Sequence, residues 1–454
     1  MKRFMLAGVS SGVGKTTLTL GVLKALVKRG LSVQAYKVGP DYIDTAYHTR
    51  VVGRASRNID TFMIPDDKHL RWSFEQAVQG VDVAVVEGVM GLYDGLGTDK
   101  DCASSSSVAK KLNIPVVLIV DGKATSTSAA AIVKGFVEFD NEVEFAGVII
   151  NRVASKNHYE LIKGAIERYT DVPVLGYLPK NISVEMPSRH LGLVPDVEMD
   201  GLAEKFDTLG ELAEQYIDLD KLLSLCEATE NLIESPLIVK DYSDLTIAYA
   251  LDDAFHFYYK DNLDYLEQLG VTLVPFSPLK DASLPKADGY YIGGGFPEIY
   301  AKELEENVCM RQAIKNAHDI NKPIYAECGG LMYLGDTLEV SDNVYHMTGV
   351  LSGKSVMTER LKNFGYCYAT SVDHTLFGVP GTVIRGHEFH HSVFDTELPT
   401  TFQLEKKRDN QVVSTWTGGY QVGNTLASYL HIHFYQNEEL VFAWLNRLRE
   451  AKQS

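Results

Sequence analysis

Over roughly the first 180 residues, short runs that are apolar at almost every position alternate with longer stretches whose apolar residues recur every three or four places. The runs are RFMLAGV (3–9), SVQAYKV (32–38), VDVAVVEGV (81–89), PVVLIVD (115–121), FAGVIINRV (145–153) and PVLGYLP (173–179). A continuous apolar run, unlike strict alternation, marks a strand buried on both faces, as in a parallel sheet covered by helices. Between the first two runs, KTTLTLGVLKALVKRG puts Leu18, Val22, Ala25 and Leu26 on one helical face and stops at Gly30. Residues 196–235 are acidic and helical in pattern, and the periodicity breaks across 230–243. A second series follows: LTIAYAL (245–251), VTLVPF (271–276), GYYIGGG (289–295) and PIYAE (323–327), then shorter β-like segments from 345 to 430. The pattern predicts an α/β chain of two domains, residues 1–235 with a parallel sheet and residues 243–454 with a second α/β core.

Composition narrows the partners. The chain has 454 residues and a net charge of −17 from 43 basic and 60 acidic side chains. Such a balance works against nucleic acid or an anionic membrane held by bulk charge, but not against an anionic substrate in a local cationic pocket. The five cysteines (Cys102, Cys226, Cys309, Cys328 and Cys367) show no C-x-x-C spacing, which fits a reducing compartment and not a disulfide framework or zinc ribbon. The apolar stretch after Lys2-Arg3 is too short for a signal peptide and runs into a glycine-rich loop. A run such as IPVVLIV (114–120) has the length of a core strand, far below a membrane span. The expected location is cytoplasmic.

Chemistry concentrates where strands end. GVSSGVGKTT (8–17) joins the first strand to the first helix, where successive backbone N–H groups and the helix N-terminus form an anion nest. In it Gly12, Val13, Gly14, Lys15, Thr16 and Thr17 are expected to hold a nucleotide, Lys15 reaching the β- and γ-phosphates and Thr16 a Mg²⁺ ion. Its G-x5-G-K-T spacing is one residue longer than the common form. VDVAVVEGVMGLYDG puts Glu87 at a strand end, where a carboxylate faces the ligand crevice, with Asp94 in the following loop as either a functional carboxylate or a turn former. YKVGPDYIDTAYH (36–48) brings Lys37, Asp41, Asp44 and His48 to the same edge. Asn151 ends another strand there, as a purine-edge donor or a strand-end cap.

In PIYAECGGLMYL (323–334), a strand, a cysteine, two glycines and a helix read as a nucleophile elbow that exposes Cys328. The helix N-terminus behind the sulfur is expected to favour the thiolate. ASYLHIHFYQN offers His431 and His433 as bases, and the glycine turn GGGFPE (293–298) offers backbone N–H groups for an oxyanion hole, from Gly294 and Gly295 together with Gly329.

The segments GVSSGVGKTT, KVGPDYIDTAYH, VVEGVMGLYDG, PSRHLGLVP, GGGFPE, ECGGLMYL, GHEFHHS and SYLHIHF, in this order, make the chain resemble the cobyrinic acid a,c-diamide synthase family over nearly its whole length. The front half is similar to dethiobiotin-synthetase-like P-loop proteins and the back half to class I glutamine amidotransferases. The resemblance implies that Cys328, helped by His431, releases ammonia from L-glutamine. It implies that ATP·Mg²⁺ phosphorylates a carboxylate of the tetrapyrrole cobyrinic acid, and that ammonia displaces the phosphate, at the a and c acetate groups in turn. Residues carried over are Lys37, Asp41, Tyr42, Asp44, Glu87 and Asp94. Of these, Glu87 and Asp41, with Thr16, are read as metal-side. Lys37, Tyr42, Asp44, Asp94 and Arg189 are read as substrate- or γ-phosphate-side. A homodimer is a compatible assembly.

Two positions depart from the class I pattern. Alanine stands at 326 where glycine is usual, and His433 occupies the slot, two residues after His431, that usually holds a glutamate. Some other group must then orient the His431 imidazole. HEFHH (387–391) matches a zinc-protease pattern in letters only, because it follows a strand-like run and not a helical one. Relatives of this chemistry act on hydrogenobyrinic acid or nickel sirohydrochlorin. A reading of another class is a partition-type ATPase with a decayed amidotransferase module. Against the ATPase stand Ser10, where such ATPases carry a signature lysine, and the intact Cys328 and His431.

Overall fold

The computed structural model describes residues 1–180, 201–227 and 233–453. The chain divides into two compact units, Met1–Pro236 and Leu237–Ser454. No helix among the described residues is long and apolar enough to cross a membrane.

Unit one is built on a seven-stranded sheet in which every pair is parallel. Its strands are β1 (Lys2–Gly8), β2 (Val33–Val38), β3 (Arg57–Ile59), β4 (Val83–Gly91), β5 (Val116–Asp121), β6 (Phe145–Val153) and β7 (Val174–Pro179), in the order β3-β2-β4-β1-β5-β6-β7. Every residue of β2 is buried, as are the first six of β4, so the apolar runs reflect cover on both faces. Each fully buried Val, Ile or Leu contributes about 1.5–3 kcal/mol. The helices are α1 (Lys15–Lys28), α2 (Tyr42–Val52), α3 (Asp67–Ala77), α4 (Ser105–Leu112), α5 (Ser128–Phe139), α6 (Lys156–Tyr169), α7 (Leu202–Tyr216) and α8 (Leu219–Leu225). Chain order reverses at β1, which lies between β4 and β5, so the carboxyl ends of β1, β2 and β4 open on one crevice.

In unit two, β8 (Thr246–Ala250), β10 (Thr272–Phe276), β11 (Gly289–Ile292) and β13 (Ile324–Glu327) form a parallel core, ordered β10-β8-β11-β13. The glycine turn after β11 forms β12 (Gly294–Gly295), which pairs antiparallel with β9 (Phe255–Phe257). The sheet continues through β20 (Thr425–Ser428), parallel to β13, and then β19 (Gln411–Val422), β18 (Thr400–Arg408), β16 (Lys354–Ser371), β14 (Thr337–Val340) and β15 (Asn343–His346). Off this path, β17 (Val383–Asp395) bridges β16 and β21 (His431–Ile432). Helices α9 (Lys260–Gln268), α10 (Ala301–Glu306), α11 (Val308–Asp319), α12 (Gly329–Leu334) and α13 (Glu438–Gln453) complete the unit. The HEFHH segment lies along β17, in extended backbone.

Candidate active site

The phosphate loop leaves β1 and enters α1 through Gly14, which caps the helix with φ 88°. A Cβ there would stand 2.2 Å from Asn151 Nδ2, so position 14 needs glycine for both its backbone and its neighbour. Asn151 Nδ2 donates to Val13 O at 2.7 Å, and its Oδ1 accepts Arg152 N at 2.9 Å. The side chain anchors the loop, and it does so from inside β6, which runs two residues past it to Val153 and does not end at Asn151 as the sequence suggested. One N–H of the amide is thus used within the protein, and the amide carries a second.

Lys15 Nζ donates to Met90 O at 2.5 Å and Ser10 O at 3.4 Å. Burial, then the Lys37 ammonium, pulls Lys15 down to about 8, against the carboxylates of Glu87, Asp44 and Asp94. Asp94 is exposed, and its Oδ2 accepts Gly91 N at 2.8 Å across the turn that follows β4.

Glu87 is the hub of this crevice. It is fully buried in β4, level with Leu6 of β1 and Lys37 of β2. Its Oε1 accepts Thr16 Oγ1 at 2.6 Å and Lys37 Nζ at 2.8 Å, and its Oε2 lies 2.8 Å from His48 Nε2. His48, which the sequence brought to this edge without a role, also lies 3.3 Å from Ser56 Oγ through Nδ1. Lys37 pairs with Asp44 as well. Burial alone would raise Glu87, but Lys37 and His48 outweigh it and hold the carboxyl well below its ordinary range. Burial opposes charge on Lys37 too, yet Asp44 and Glu87 keep it above the ordinary lysine range. Asp44 moves up, by burial and then by the Asp41 carboxylate. Asp41 caps α2, accepting Ile43 N at 2.8 Å and Asp44 N at 3.1 Å, and the buried Tyr42 opens that helix. Among the described residues no group of three or more Asp, Glu, His or Cys side chains is placed to hold a metal ion; the hard oxygens that meet beside the phosphate loop are Thr16 Oγ1 and the Glu87 carboxylate, an oxygen chemistry that suits Mg²⁺. Arg189 lies outside the described residues.

In unit two, Cys328 stands between β13 and α12 at φ 47°, ψ −101°, a conformation that costs about 1–3 kcal/mol and is held by its surroundings. Its N–H donates to Ser428 O at 2.7 Å, and Met332 N donates back to Cys328 O at 3.2 Å. The two glycines after it are steric necessities. A Cβ on Gly330 would meet Ile292 O at 2.3 Å, and one on Gly329 would lie 2.9 Å from Pro297 and 3.1 Å from Gly295 N. The backbone of Gly329 is thus brought to the Gly294–Gly295 turn.

The sulfur differs from the expectation of a ready thiolate. Burial, then the Glu298 carboxylate, pushes the Cys328 thiol well above its ordinary value; Glu388 and Glu327 add to this, and a hydrogen bond from Gly329 N–H opposes it. The six-residue α12 offers too little dipole to win against desolvation. The thiol therefore rests protonated and needs a base.

His431 is buried on β21, opposite His387 of β17, with ring centroids 5.6 Å apart. Gly294 makes room for it: a Cβ there would lie 2.6 Å from His431 Cε1. Burial, then the neighbouring His431 and His390, holds His387 well below the ordinary imidazole range, so His387 is neutral. His433 is engaged elsewhere, accepting Tyr435 N at 3.2 Å through Nδ1, with Nε2 3.7 Å from Asp261. The group beside the His431 imidazole is Glu327, which the sequence did not single out. Its Oε2 lies 3.4 Å from His431 Nδ1, and its Oε1 accepts the Tyr325 hydroxyl at 2.6 Å.

Two family models match the chain. Residues 4–194 match the CobQ/CobB/MinD/ParA nucleotide binding domain, and residues 246–439 match the CobB/CobQ-like glutamine amidotransferase domain. Over 451 residues the chain is 65% identical to a cobyrinate a,c-diamide synthase of Streptococcus sanguinis, covering 99% of this chain and 100% of that protein. A Listeria monocytogenes protein of the same name is 58% identical over 439 residues, covering 96% of this chain and 97% of that one. One from Salmonella typhimurium is 48% identical over 460 residues, covering 99% and 98%. The chain belongs to the cobyrinate a,c-diamide synthase family. The family's two domains fall on the two units just described, with the phosphate loop in the first and Cys328 in the second.

Proposed function

We propose that this chain is a glutamine-hydrolysing carbon–nitrogen ligase that amidates the a and c acetate carboxylates of cobyrinic acid, in cobalamin biosynthesis, using ATP. The observation that carries the reading is that one chain holds a lysine-bearing phosphate loop and a cysteine at a strained strand-to-helix turn, in the order and over the length of its relatives.

At the second unit, Cys328 Sγ attacks the side-chain amide carbon of glutamine. His431 takes the thiol proton and returns it to the departing nitrogen, which leaves as ammonia. The backbone N–H groups of Gly294, Gly295 and Gly329 face the developing oxyanion. Water then cleaves the thioester to glutamate. At the first unit, a carboxylate oxygen of the substrate attacks the γ-phosphorus of ATP and ADP departs. Ammonia adds to the acyl phosphate, and phosphate leaves with the bond that held it. An unmodified carboxylate repels nucleophiles; the mixed anhydride does not. Lys15 neutralises the phosphates, and Lys37, held by Asp44 and Glu87, supplies a second cation to the substrate and γ-phosphate side. Thr16 and Glu87, with Asp41, would hold Mg²⁺, which when bound neutralises phosphate charge. Tyr42, Asp44, Asp94 and Arg189 complete the substrate side.

The test is purified protein incubated with ATP, glutamine and, in parallel, cobyrinic acid, hydrogenobyrinic acid or nickel sirohydrochlorin. The expected products are a monoamide and then a diamide of cobyrinic acid, identified by mass spectrometry. Amidation confined to one of the other macrocycles overturns the substrate assignment, and ATP hydrolysis with no amide overturns the ligase.

Lys15 gives this reading a pH signature. Its proton is lost near 8 in the folded chain, against 10.5 ordinarily. ATP phosphates require the charged form, so binding must draw in a proton above that value. ATP affinity, read by calorimetry, is expected to fall by up to about tenfold per pH unit between pH 8 and 10. Stability runs the opposite way. In that window the unfolded chain holds a proton that the folded one has lost, so the ligand-free protein gains stability as pH rises.

A further inference from the structure

The slot that normally supplies a carboxylate to the catalytic histidine holds His433, which faces Asp261. A buried carboxylate nonetheless reaches the imidazole from another place in the chain. Glu327 is the last residue of β13, adjacent in sequence to the nucleophile, and is 1% exposed. Its position is held at both ends of the residue. Backbone pairing with Ser428 of β20 fixes the strand end, and the Tyr325 hydroxyl fixes Oε1 at 2.6 Å. That leaves Oε2 3.4 Å from His431 Nδ1.

We infer that Glu327 is the positioning residue of the glutamine site, taking over the task of the missing carboxylate by orienting His431 and stabilising its protonated form. The inference rests on the amidotransferase reading above. The physical reasoning is that of any acid–base relay. A carboxylate facing Nδ1 keeps the proton on that nitrogen and leaves Nε2 as the acceptor for the Cys328 proton. When that proton arrives, the imidazolium forms in a desolvated site, where a fixed anion is worth far more than in water. Two further neighbours of His431 offer no anion. His387 on β17 is neutral, and Gly294 on β12 offers no side chain. The sequence neighbourhood also makes sense chemically: nucleophile and orienting carboxylate are consecutive, so one strand end sets both, while β21 brings the histidine to the carboxylate.

A merely structural carboxylate would affect stability without touching proton transfer, and the experiment separates the two. Glu327→Gln keeps the volume and the Tyr325 contact but removes the charge. The expected result is a fall in kcat for glutamate release of at least about 10²-fold. KM for glutamine stays within about threefold, synthesis driven by free ammonia is retained, and the acid limb of the kcat/KM profile moves to lower pH because the imidazolium has lost its counter-charge. Glu327→Asp, with the charge kept at shorter reach, recovers part of kcat. Unchanged kcat and an unmoved acid limb in Glu327→Gln overturn the inference. Should Glu327→Gln not fold, Tyr325→Phe asks the same question. Without its hydroxyl donor, Glu327 becomes more basic, so the limb moves upward; an unmoved limb again overturns the inference. Absence of glutamate release by the unaltered protein would instead sink the amidotransferase reading itself.

Discussion

Cys328→Ala is expected to yield a protein that still makes amide from ATP and free ammonia but makes none from glutamine. The sulfur forms the only bond to glutamine in the proposed sequence, and losing a covalent nucleophile typically lowers the rate by about 10⁴- to 10⁶-fold. Ammonia at high concentration bypasses that step and enters at the acyl phosphate, so the ammonia-driven rate stays within about threefold of the unaltered protein. The substitution should be well tolerated. Alanine removes one atom from a position with φ 47°, and the backbone contacts to Ser428 O and from Met332 N remain. The measurement is amide formation with each nitrogen source, alongside glutamate release. Loss of both nitrogen sources in a protein that melts normally would mean that the two units do not divide the labour as described.

The complementary change, Glu87→Gln, is expected to abolish synthesis from either nitrogen source while leaving Cys328 able to open glutamine. Three side chains from three elements converge on this carboxylate: Thr16 of α1, Lys37 of β2 and His48 of α2. A neutral amide cannot balance Lys37 and would present an N–H₂ to one of the present donors. Phosphoryl transfer is almost wholly a matter of placing charge, so a loss of about 10³-fold or more is expected. Removing one partner of a buried ionic network also destabilises by about 3–5 kcal/mol. The pH dependence of that gap has a definite sign. Glu87 titrates below its ordinary 4.5 in the folded chain, so its stabilisation is complete above that value and fades as acid protonates it. Denaturation midpoints of the two proteins should therefore differ widely at pH 7, and the gap should begin to narrow only below 4.5 and keep narrowing toward the far more acid pH at which the folded carboxyl takes up its proton. A constant gap would mean that Glu87 acts through packing alone.

Much of this architecture was legible because its strands are buried on both faces. The runs at 3–9, 115–121 and 145–153 became β1, β5 and β6 with small shifts of boundary. Three-residue strands carry no period, and so Arg57–Ile59 and Phe255–Phe257 went unread. The run at 289–295 is one apolar stretch in the sequence but splits into Gly289–Ile292 and Gly294–Gly295, because the glycines turn the chain out to pair with β9. The 18-residue β16 looked like shorter segments, since irregular register between Met357 and Gly365 breaks its alternation.

The candidate sites divide in the same way. Lys15 and Thr16 could be found because they open a readable helix, and Lys37 and Glu87 because they lie in buried runs that the sequence shows, although Glu87 stands mid-strand in β4 and not at its end. Glu327 could not. Strand alternation sends neighbouring side chains to opposite faces, and nothing in spacing links position 327 to a histidine a hundred residues later. Only the sharp turn at Cys328 and the return of β21 make that link. The thiol was misjudged for a related reason. A helix start is visible in a sequence, but the depth at which its first residue is buried is not.

The protonated state of Cys328 carries a consequence for chemical durability. Peroxides and alkylating agents react with sulfur anions and with sulfur they can reach. Between turnovers this sulfur offers neither, being 7% exposed and kept a thiol first by burial and then by the charge of Glu298, with Glu388 and Glu327 adding. The idle protein is thereby shielded from oxidative loss chiefly by the depth that also delays ionisation of the sulfur, with the neighbouring carboxylates adding to it.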